Sequence, residues 1–315
     1  MTQYIIRRLI QALFLVWGCA TLVFFMVRLI PGDPVVQMLG PEYTPEAAQV
    51  IRVKLGLDEP FHIQYLRWFG NVLTGDLGGS IATGETVADI ITTGLPKTLS
   101  LATLSFLIAT AIAVPAGIVA ALRRNTVFDY AASVVAFIGV SMPSFWFGIL
   151  LILVSAVRLR WLPAIGYADP TEDGVVAWLE RLILPSLAIG AAYSAILMRF
   201  VRAGLLEVLS SDYVRTARAK GVREHAVVLR HAMRNALIPV VTVIGIQLAL
   251  LLSGTVVVET VFSIRGIGRI LVAAIFDRDY PIVQGVILLI AVIFVMANLL
   301  VDIVYTFLDP RIRYG

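Results

Sequence analysis

The chain has 315 residues, of which 59% are hydrophobic and only 15% are charged, and its formal net charge is +4. Soluble domains carry about 25% charged residues, so this composition excludes an ordinary water-soluble protein. A single cysteine, Cys19, excludes an intramolecular disulfide, and His62, His225 and His231 show no metal-ligand grouping. We therefore expect no metal site. The basic residues are dispersed over several connections and do not form one patch, so we expect no nucleic-acid partner either.

Six apolar runs follow one another along the chain, at residues 9–30, 98–122, 130–157, 182–203, 237–262 and 281–308. A helix needs about 20 apolar residues to cross a bilayer, and these runs lack the alternation of barrel strands. We therefore predict an all-α polytopic membrane protein with six transmembrane helices. The first run is longer than the apolar region of a signal peptide, so we expect residues 1–30 to remain as the first transmembrane helix.

The connections between these runs differ in charge. Of the 25 Lys and Arg residues, 14 lie in the N-terminus, the 123–129 turn, the 204–236 loop with the adjoining Arg199 and Arg202, and the C-terminal tail 309–315. By the positive-inside rule these parts, both termini included, are cytoplasmic. The 31–97 segment is then extracytoplasmic, and residues 98–308 form a five-helix core that contains the 204–236 loop.

The loop from Ser210 to Pro239 is the most informative segment, because it is basic and helix-forming between two apolar runs. Ser211 or Asp212 can cap a helix start, and Tyr213–Lys220 propagates it. Gly221 ends this helix, since glycine readily adopts the left-handed conformation. A second helix is expected from about Arg223 to Ala236. The product is a helix–glycine–helix hairpin.

Small residues at Ala217, Ala219 and Gly221 allow another backbone to approach this hairpin closely. Positive charge surrounds them, at Arg215, Arg218, Lys220, Arg223, Arg230 and Arg234. Two interpretations are open. The hairpin lies on anionic lipid headgroups, or it docks in a groove on a partner protein.

The loop resembles the coupling segment of permease subunits in binding-protein-dependent ABC importers, in the dipeptide, oligopeptide and nickel branch. In that family an alanine pair, a glycine four residues later and a following proline mark the helices that sit on the ATPase. This chain has Arg215-Thr216-Ala217, then Gly221, then Pro239, with Arg215 and Thr216 in place of an acidic residue and an alanine. The resemblance implies that the ATPase-coupling residues are Arg215, Thr216, Ala217, Ala219, Lys220, Gly221, Arg230, Arg234 and Pro239.

The resemblance extends over nearly the whole chain, because further stretches match the branch in order and spacing. They are Pro31–Pro34, Leu55–Pro60, Gln64-Tyr65, Gly75–Gly78 with Ser80, Ser141–Trp146, Trp161–Pro163, Val261-Phe262, Gly266–Gly268 and Arg278–Pro281. The long outer segment after the first span is similar to that of the first permease of such pairs.

This resemblance implies a type I ABC importer permease fold in a bacterial or archaeal cell (inner) membrane. It also implies the partners: a second homologous permease subunit, two ATP-binding subunits and an extracytoplasmic solute-binding protein. The residues expected to contact the binding protein are Glu259, Arg265, Gly266, Gly268, Asp279 and Tyr280. The sequence has no G-x-x-x-x-G-K-[ST] phosphate cradle. We therefore expect no enzymatic activity and no bound cofactor in this chain, with ATP and Mg²⁺ held by the partner ATPases.

Polar residues within the apolar runs are the candidates for the translocation passage, since such groups usually face protein or water. They are Ser141, Gln247, Ser253, Asn298 and Asp302. The alternative is that they only form hydrogen bonds with neighbouring helices. Pro143 is expected to kink the third span, with Ser141 compensating for the lost backbone bond.

Peptides are the favoured substrate within this branch, and nickel complexes, glutathione or sugars are the alternatives. Two other classes of membrane protein are alternatives to an importer subunit. An ATP-independent channel or secondary transporter usually shows internal repeats, which we do not find. An intramembrane enzyme would need a paired nucleophile and base or a metal site, and neither H-E-x-x-H nor G-x-S-x-G occurs.

Overall fold

The structure is a computed structural model that describes residues 2–29, 34–39 and 43–308. Among these, the side chains of residues 2–5, 29, 34, 37, 38, 54, 55, 249, 252, 253 and 301–308 are outside the description. Three sequence-based expectations fall there: most of the Pro31–Pro34 motif, the tail 309–315, and the passage roles of Ser253 and Asp302.

Helices account for the regular structure of the described residues. They are α1 Thr2–Leu29, α2 Pro34–Leu39, α3 Pro45–Leu55, α4 Phe61–Leu73, α5 Val87–Leu122, α6 Val127–Ser141, α7 Ser144–Leu151, α8 Val175–Leu209, α9 Asp212–Ala219, α10 Glu224–Ala226, α11 Met233–Val261, α12 Ile267–Phe276 and α13 Tyr280–Leu308. π-Helical segments extend α7 over Ile152–Arg158 and join α10 to α11 over Val227–Ala232.

The prediction of an all-α membrane protein is confirmed. Five helical stretches in the described residues are long and apolar enough to cross a bilayer, and α6 with α7 makes a sixth span if this bent pair counts as one. The spans therefore follow the six apolar runs in order.

The second span begins well before the predicted residue 98, because a polar cap starts the helix at Val87. The Thr86 hydroxyl accepts a hydrogen bond from the Asp89 amide at 3.1 Å and donates one to the Asp89 carboxylate at 2.6 Å. A side-chain oxygen at this position satisfies an amide that the first turn leaves unpaired. Hydropathy does not detect a polar cap, which explains why the helix was predicted to start at residue 98 and not at Val87.

The third span is broken rather than kinked. Its two halves, α6 and α7, meet at 103°. Met142 is extended, with φ −91° and ψ 125°, as expected for a residue that precedes a proline. The Ser141 hydroxyl donates to the Phe137 carbonyl at 2.9 Å, so the serine satisfies a carbonyl in the last turn of α6.

The chain divides into two compact units, Met1–Pro96 with Gly266–Val295 and Lys97–Arg265 with Met296–Gly315. The first unit has a core of aliphatic side chains from α1, α5, α12 and α13, among them Val27, Ile91, Ile267 and Val286. The second unit has three buried clusters. Two of them fill its membrane-spanning part, and the third lies beneath the 204–236 loop.

Candidate functional site

The 204–236 loop folds as a helical hairpin, and Gly221 makes the turn. Helix α9 ends at Ala219, and Gly221 follows in the left-handed region with φ +76°. Its amide donates to the Arg218 carbonyl at 2.9 Å, which satisfies a group that the helix end leaves open. The chain then enters α10 at Glu224. The predicted glycine stop is therefore where the structure turns the chain.

The hairpin has a buried apolar core of its own. Val214 of α9 and Val227 and Val228 of the π-helical segment are almost fully buried. They belong to one cluster with Leu205 of α8 and Ala121 at the end of α5. This packing joins the hairpin to the ends of two spans.

Polar contacts fix the two arms of the hairpin to each other. The Arg218 guanidinium donates to both Glu224 carboxylate oxygens, at 2.6 and 3.0 Å. This hydrogen-bonded pair raises the pKa of Arg218 further above its ordinary value. On the other side of α9, the Asn235 amide group donates to the Tyr213 hydroxyl at 2.8 Å. The turn is thus closed by side chains as well as by the backbone.

A cationic surface covers the outside of the hairpin. Its exposed members are Arg215, Thr216, Arg218, Ala219, Lys220, Gly221, Arg223, Arg230 and Arg234. We call this set the cationic crest. Arg215 retains 73% of its side-chain exposure and contacts only Asp212, at 3.6 Å, among the ion pairs of the described residues. A crest of this kind, fixed by a core beneath it, can dock as a rigid body.

The structure differs from the predicted hairpin in several details. Ser211 precedes α9 without capping it, because its hydroxyl donates to the Val208 carbonyl at 2.5 Å instead. Ala217 is half-buried against the hairpin core, so it is not part of the crest. The second helix begins at Glu224 and runs unbroken into the fifth span, with Pro239 inside α11. A tight packing point lies nearby, since a Cβ at Gly204 would be 2.7 Å from the Ala236 carbonyl oxygen and 3.5 Å from Pro239.

The residues predicted to contact a binding protein are mostly inside the fold. Arg265 is exposed and Tyr280 is half-buried, whereas Gly266 and Gly268 are buried. Contact of these residues with a binding protein stays a prediction, although four of the six are buried in this structure. The two acidic members are buried because they have internal partners.

Asp279 and Glu259 illustrate those partners. Asp279 is 1% exposed and accepts hydrogen bonds from the Ser80 hydroxyl at 2.5 Å and the Ala82 amide at 3.2 Å. It precedes α13 and thereby fixes the 78–86 loop to the start of that helix. Glu259 is fully buried, and its carboxylate accepts a hydrogen bond from the Thr98 hydroxyl at 2.6 Å.

The predicted passage residues are not gathered into one polar path among the described side chains. Ser141 is exposed at the break in the third span, and Gln247 is 4% exposed, with its amide donating to the Tyr193 carbonyl at 3.3 Å. Asn298 is half-buried and has a partner of its own. For Gln247 the alternative prediction, a hydrogen bond between helices, describes the geometry.

An apolar cavity of about 330 Å³ lies between α5, α6 and α8. Small side chains form most of its wall, including Ala116, Ala136, Gly139, Ala191 and Ala195. Gly139 lies close to α8, since a Cβ added there would be 3.2 Å from the Ala195 methyl group. This cavity therefore lies beside the broken third span, and its wall is apolar.

One ion pair was missed by reasoning from the sequence. Arg202 of α8 donates to both carboxylate oxygens of Asp129 in α6, at 2.7 and 2.8 Å. The Asn125 amide donates to the same carboxylate at 3.0 Å, and Asn125 itself is in the left-handed region. The available signal was an acidic residue in the first turn of an otherwise apolar helix.

Comparisons with known proteins agree with this architecture. The family described as "Binding-protein-dependent transport system inner membrane component" matches residues 113–314, and its N-terminal counterpart matches residues 1–102. The glutathione transport system permease protein GsiC of Escherichia coli O6:H1 is 44% identical over 100% of both chains. The oligopeptide transport system permease protein AppB of Bacillus subtilis is 39% identical, again over 100% of both. A solved chain of the MetNI methionine ABC transporter has a TM-score of 0.57 at 19% identity, covering 70% of this chain and 96% of that one.

Proposed function

We infer the role of this chain from its family: it belongs to the inner membrane components of binding-protein-dependent transport systems. It is a permease subunit of an ABC importer. We propose that its substrates are peptides. A relative that aligns over the full length supports this, because it is named for oligopeptides. Nickel complexes, glutathione and sugars are the alternatives within the branch, and another full-length relative is named for glutathione.

The proposed mechanism places this chain as half of a passage, with a second, similar permease as the other half. A solute-binding protein delivers peptide on the outside, and separate ATPase subunits bind ATP and Mg²⁺ on the inside. The chain itself lacks a phosphate-cradle motif, so hydrolysis is assigned to those partners. In this proposal the N-terminus and the hairpin are cytoplasmic, supported by the distribution of basic residues.

The cationic crest is the observation that carries the proposed coupling. It is exposed, and the core beneath it includes side chains from the ends of α5 and α8. The same hairpin continues without a break into α11. A partner that displaces the crest therefore pushes directly on the spans. A ligand shifts such an equilibrium only by preferring one state, so ATP-bound ATPases must hold the crest differently from empty ones.

Gly221→Pro tests this coupling. Proline fixes φ near −65°, whereas Gly221 has φ +76°, and proline also removes the amide that donates to Arg218. We expect the variant to insert in the membrane normally and to lose substrate-stimulated ATPase activity in the reconstituted complex. Gly221→Asn is the matched control, because asparagine tolerates the left-handed region and keeps the amide.

The two variants together test whether the left-handed turn at residue 221 is needed for coupling. Asparagine at this position should preserve most of the stimulation while proline abolishes it. Normal stimulation by substrate in the proline variant would refute the coupling role of the hairpin.

A further inference from the structure

Helix α4, which follows the first span in sequence, crosses α1 near the outer end of that span. The Tyr65 and Thr21 hydroxyl groups share a hydrogen bond of 2.8 Å, and Arg28 donates to the Gln64 side chain at 2.9 and 3.2 Å. Thr21 and Arg28 are separated by about 10 Å along a helix axis, since each residue rises about 1.5 Å. The contacts therefore place α4 beside the last two turns of a transmembrane helix.

Aromatic rings fill the contact between the two helices. The fully buried Phe24 ring meets Tyr65 edge-on at 5.2 Å and lies 5.3 Å from Trp68. Tyr65 also stacks on Phe25 and on Phe69, at 6.1 and 5.8 Å. Tyrosine and tryptophan rings concentrate at membrane–water interfaces, where one side is apolar and the other is wet.

The surface of α4 that faces away from α1 has two different sides. At about 100° per residue, Ile63, Leu66 and Leu73 fall next to one another on the helix. Their side chains are 40%, 66% and 72% exposed. Arg67 and Asn71 occupy the adjoining edge and are also exposed, with Arg67 paired to Glu59 at 2.7 Å. The helix is thus largely apolar along one exposed side, where His62 is the exposed polar residue within about 40° of Leu66, and polar along the other.

Exposed apolar side chains also lie on α1, in the two turns that α4 contacts. Leu22, Phe25 and Met26 of α1 are 61%, 46% and 60% exposed. In a transmembrane helix such side chains meet lipid acyl chains. An amphipathic helix with few charges that adjoins this surface fits the boundary between headgroups and acyl chains, where apolar faces insert by about 5–10 Å.

We propose that α4 is a membrane-embedded interfacial helix, with Ile63, Leu66 and Leu73 in the acyl chains of the leaflet in which the first span ends. Arg67 and Asn71 face the headgroups. This is the outer leaflet in the orientation given under Proposed function, on which that part of the inference rests. The helix would anchor the start of the extracytoplasmic segment to lipid at a fixed depth.

Site-directed labelling of the complete importer tests the proposal. Cys19 is the only cysteine in the sequence, so Cys19→Ala gives a clean background for Leu66→Cys and, as the matched control on the same helix, Asn71→Cys. Each variant is assembled with its permease and ATPase partners in liposomes and labelled with a nitroxide. Collision rates are then measured with oxygen, which concentrates in the acyl chains, and with a water-soluble nickel chelate. ATP-driven uptake by the same liposomes is recorded first, so a failure of transport is separated from a failure of this inference.

The label at position 66 should collide severalfold more with oxygen than with the chelate, and the label at position 71 should show the reverse. Ile63→Cys provides a second reading if Leu66→Cys does not assemble. Equal access of the chelate to positions 66 and 71 would place α4 in water and overturn the proposal. Protection of position 66 from both reagents would overturn it as well, because a protein surface would then cover this side.

Discussion

Arg202 and Asp129 form a bidentate ion pair that joins the third span to α8. Of the residues of α6, Asp129 and Ala136 are buried, and Gly139 also approaches α8 closely. The Asp129 side chain is 4% exposed and that of Arg202 is 27% exposed. Arg202 lies on the helix that leads into the hairpin. The pair therefore links the helix that enters the hairpin to the broken span through charge-assisted hydrogen bonds.

Asp129→Asn should weaken this link without changing the size of the side chain. Losing the charge from a bidentate pair costs about 1.5–3 kcal/mol of stability, typical of hydrogen bonds to charged groups. We expect a lower midpoint of thermal unfolding and less peptide transported per ATP hydrolysed. Both are measured on the purified complex.

Arg199→Gln is the control for this variant, because Arg199 is an exposed arginine on the same helix. It removes a single charge, of the opposite sign, without breaking the pair and should leave both quantities unchanged. The reversed pair, Asp129→Arg with Arg202→Asp, should recover part of the coupling. Normal transport per ATP hydrolysed in the Asp129→Asn protein would show that the Arg202–Asp129 pair is not needed for coupling.

The helices show which parts of the fold were readable from sequence. Long apolar runs predicted the spans in order, since burial in lipid requires them. The start of α5 and the break at Met142 were set by Thr86 and Pro143, whose effects are local and conformational. The interior partners of Glu259 and Asp279 were not readable, because Thr98 and Ser80 are distant from them in sequence. Acidic side chains that the sequence alone suggests are free to bind a partner can instead be hydrogen-bonded inside the fold.

The base of the hairpin depends on close approach of α8 to α11 at Gly204. A methyl group there would be 2.7 Å from the Ala236 carbonyl oxygen, which is backbone and cannot move alone. Gly204→Ala should therefore separate the two helices and destabilise the protein by about 1–3 kcal/mol, as overpacking does. We expect reduced thermal stability and reduced substrate-stimulated ATPase activity of the assembled complex.

Gly18→Ala makes the same chemical change in α1, where an added Cβ has no neighbour within 4 Å among the described atoms. It should be neutral or slightly stabilising, because alanine favours a helix over glycine by about 1 kcal/mol. If Gly204→Ala behaves like this control, the close approach is not needed for coupling.

The whole chain is a permease subunit whose membrane helices and hairpin form the parts of a larger machine. Its sequence supplies spans, a rigid cationic crest and short helices between the first two spans, and we assign energy input and substrate capture to other subunits. The family is that of the inner membrane components of binding-protein-dependent transport systems, which agrees with substrate capture by a separate protein. Motion of the crest is the step on which the account depends.

Uptake of labelled peptide against its gradient tests the division most directly. Liposomes holding both permeases and the ATPase subunits, with loaded binding protein outside and ATP inside, should accumulate peptide above the external concentration. Liposomes that hold only the two permeases should reach no more than equilibrium. Accumulation against the gradient by the permeases alone would contradict the account.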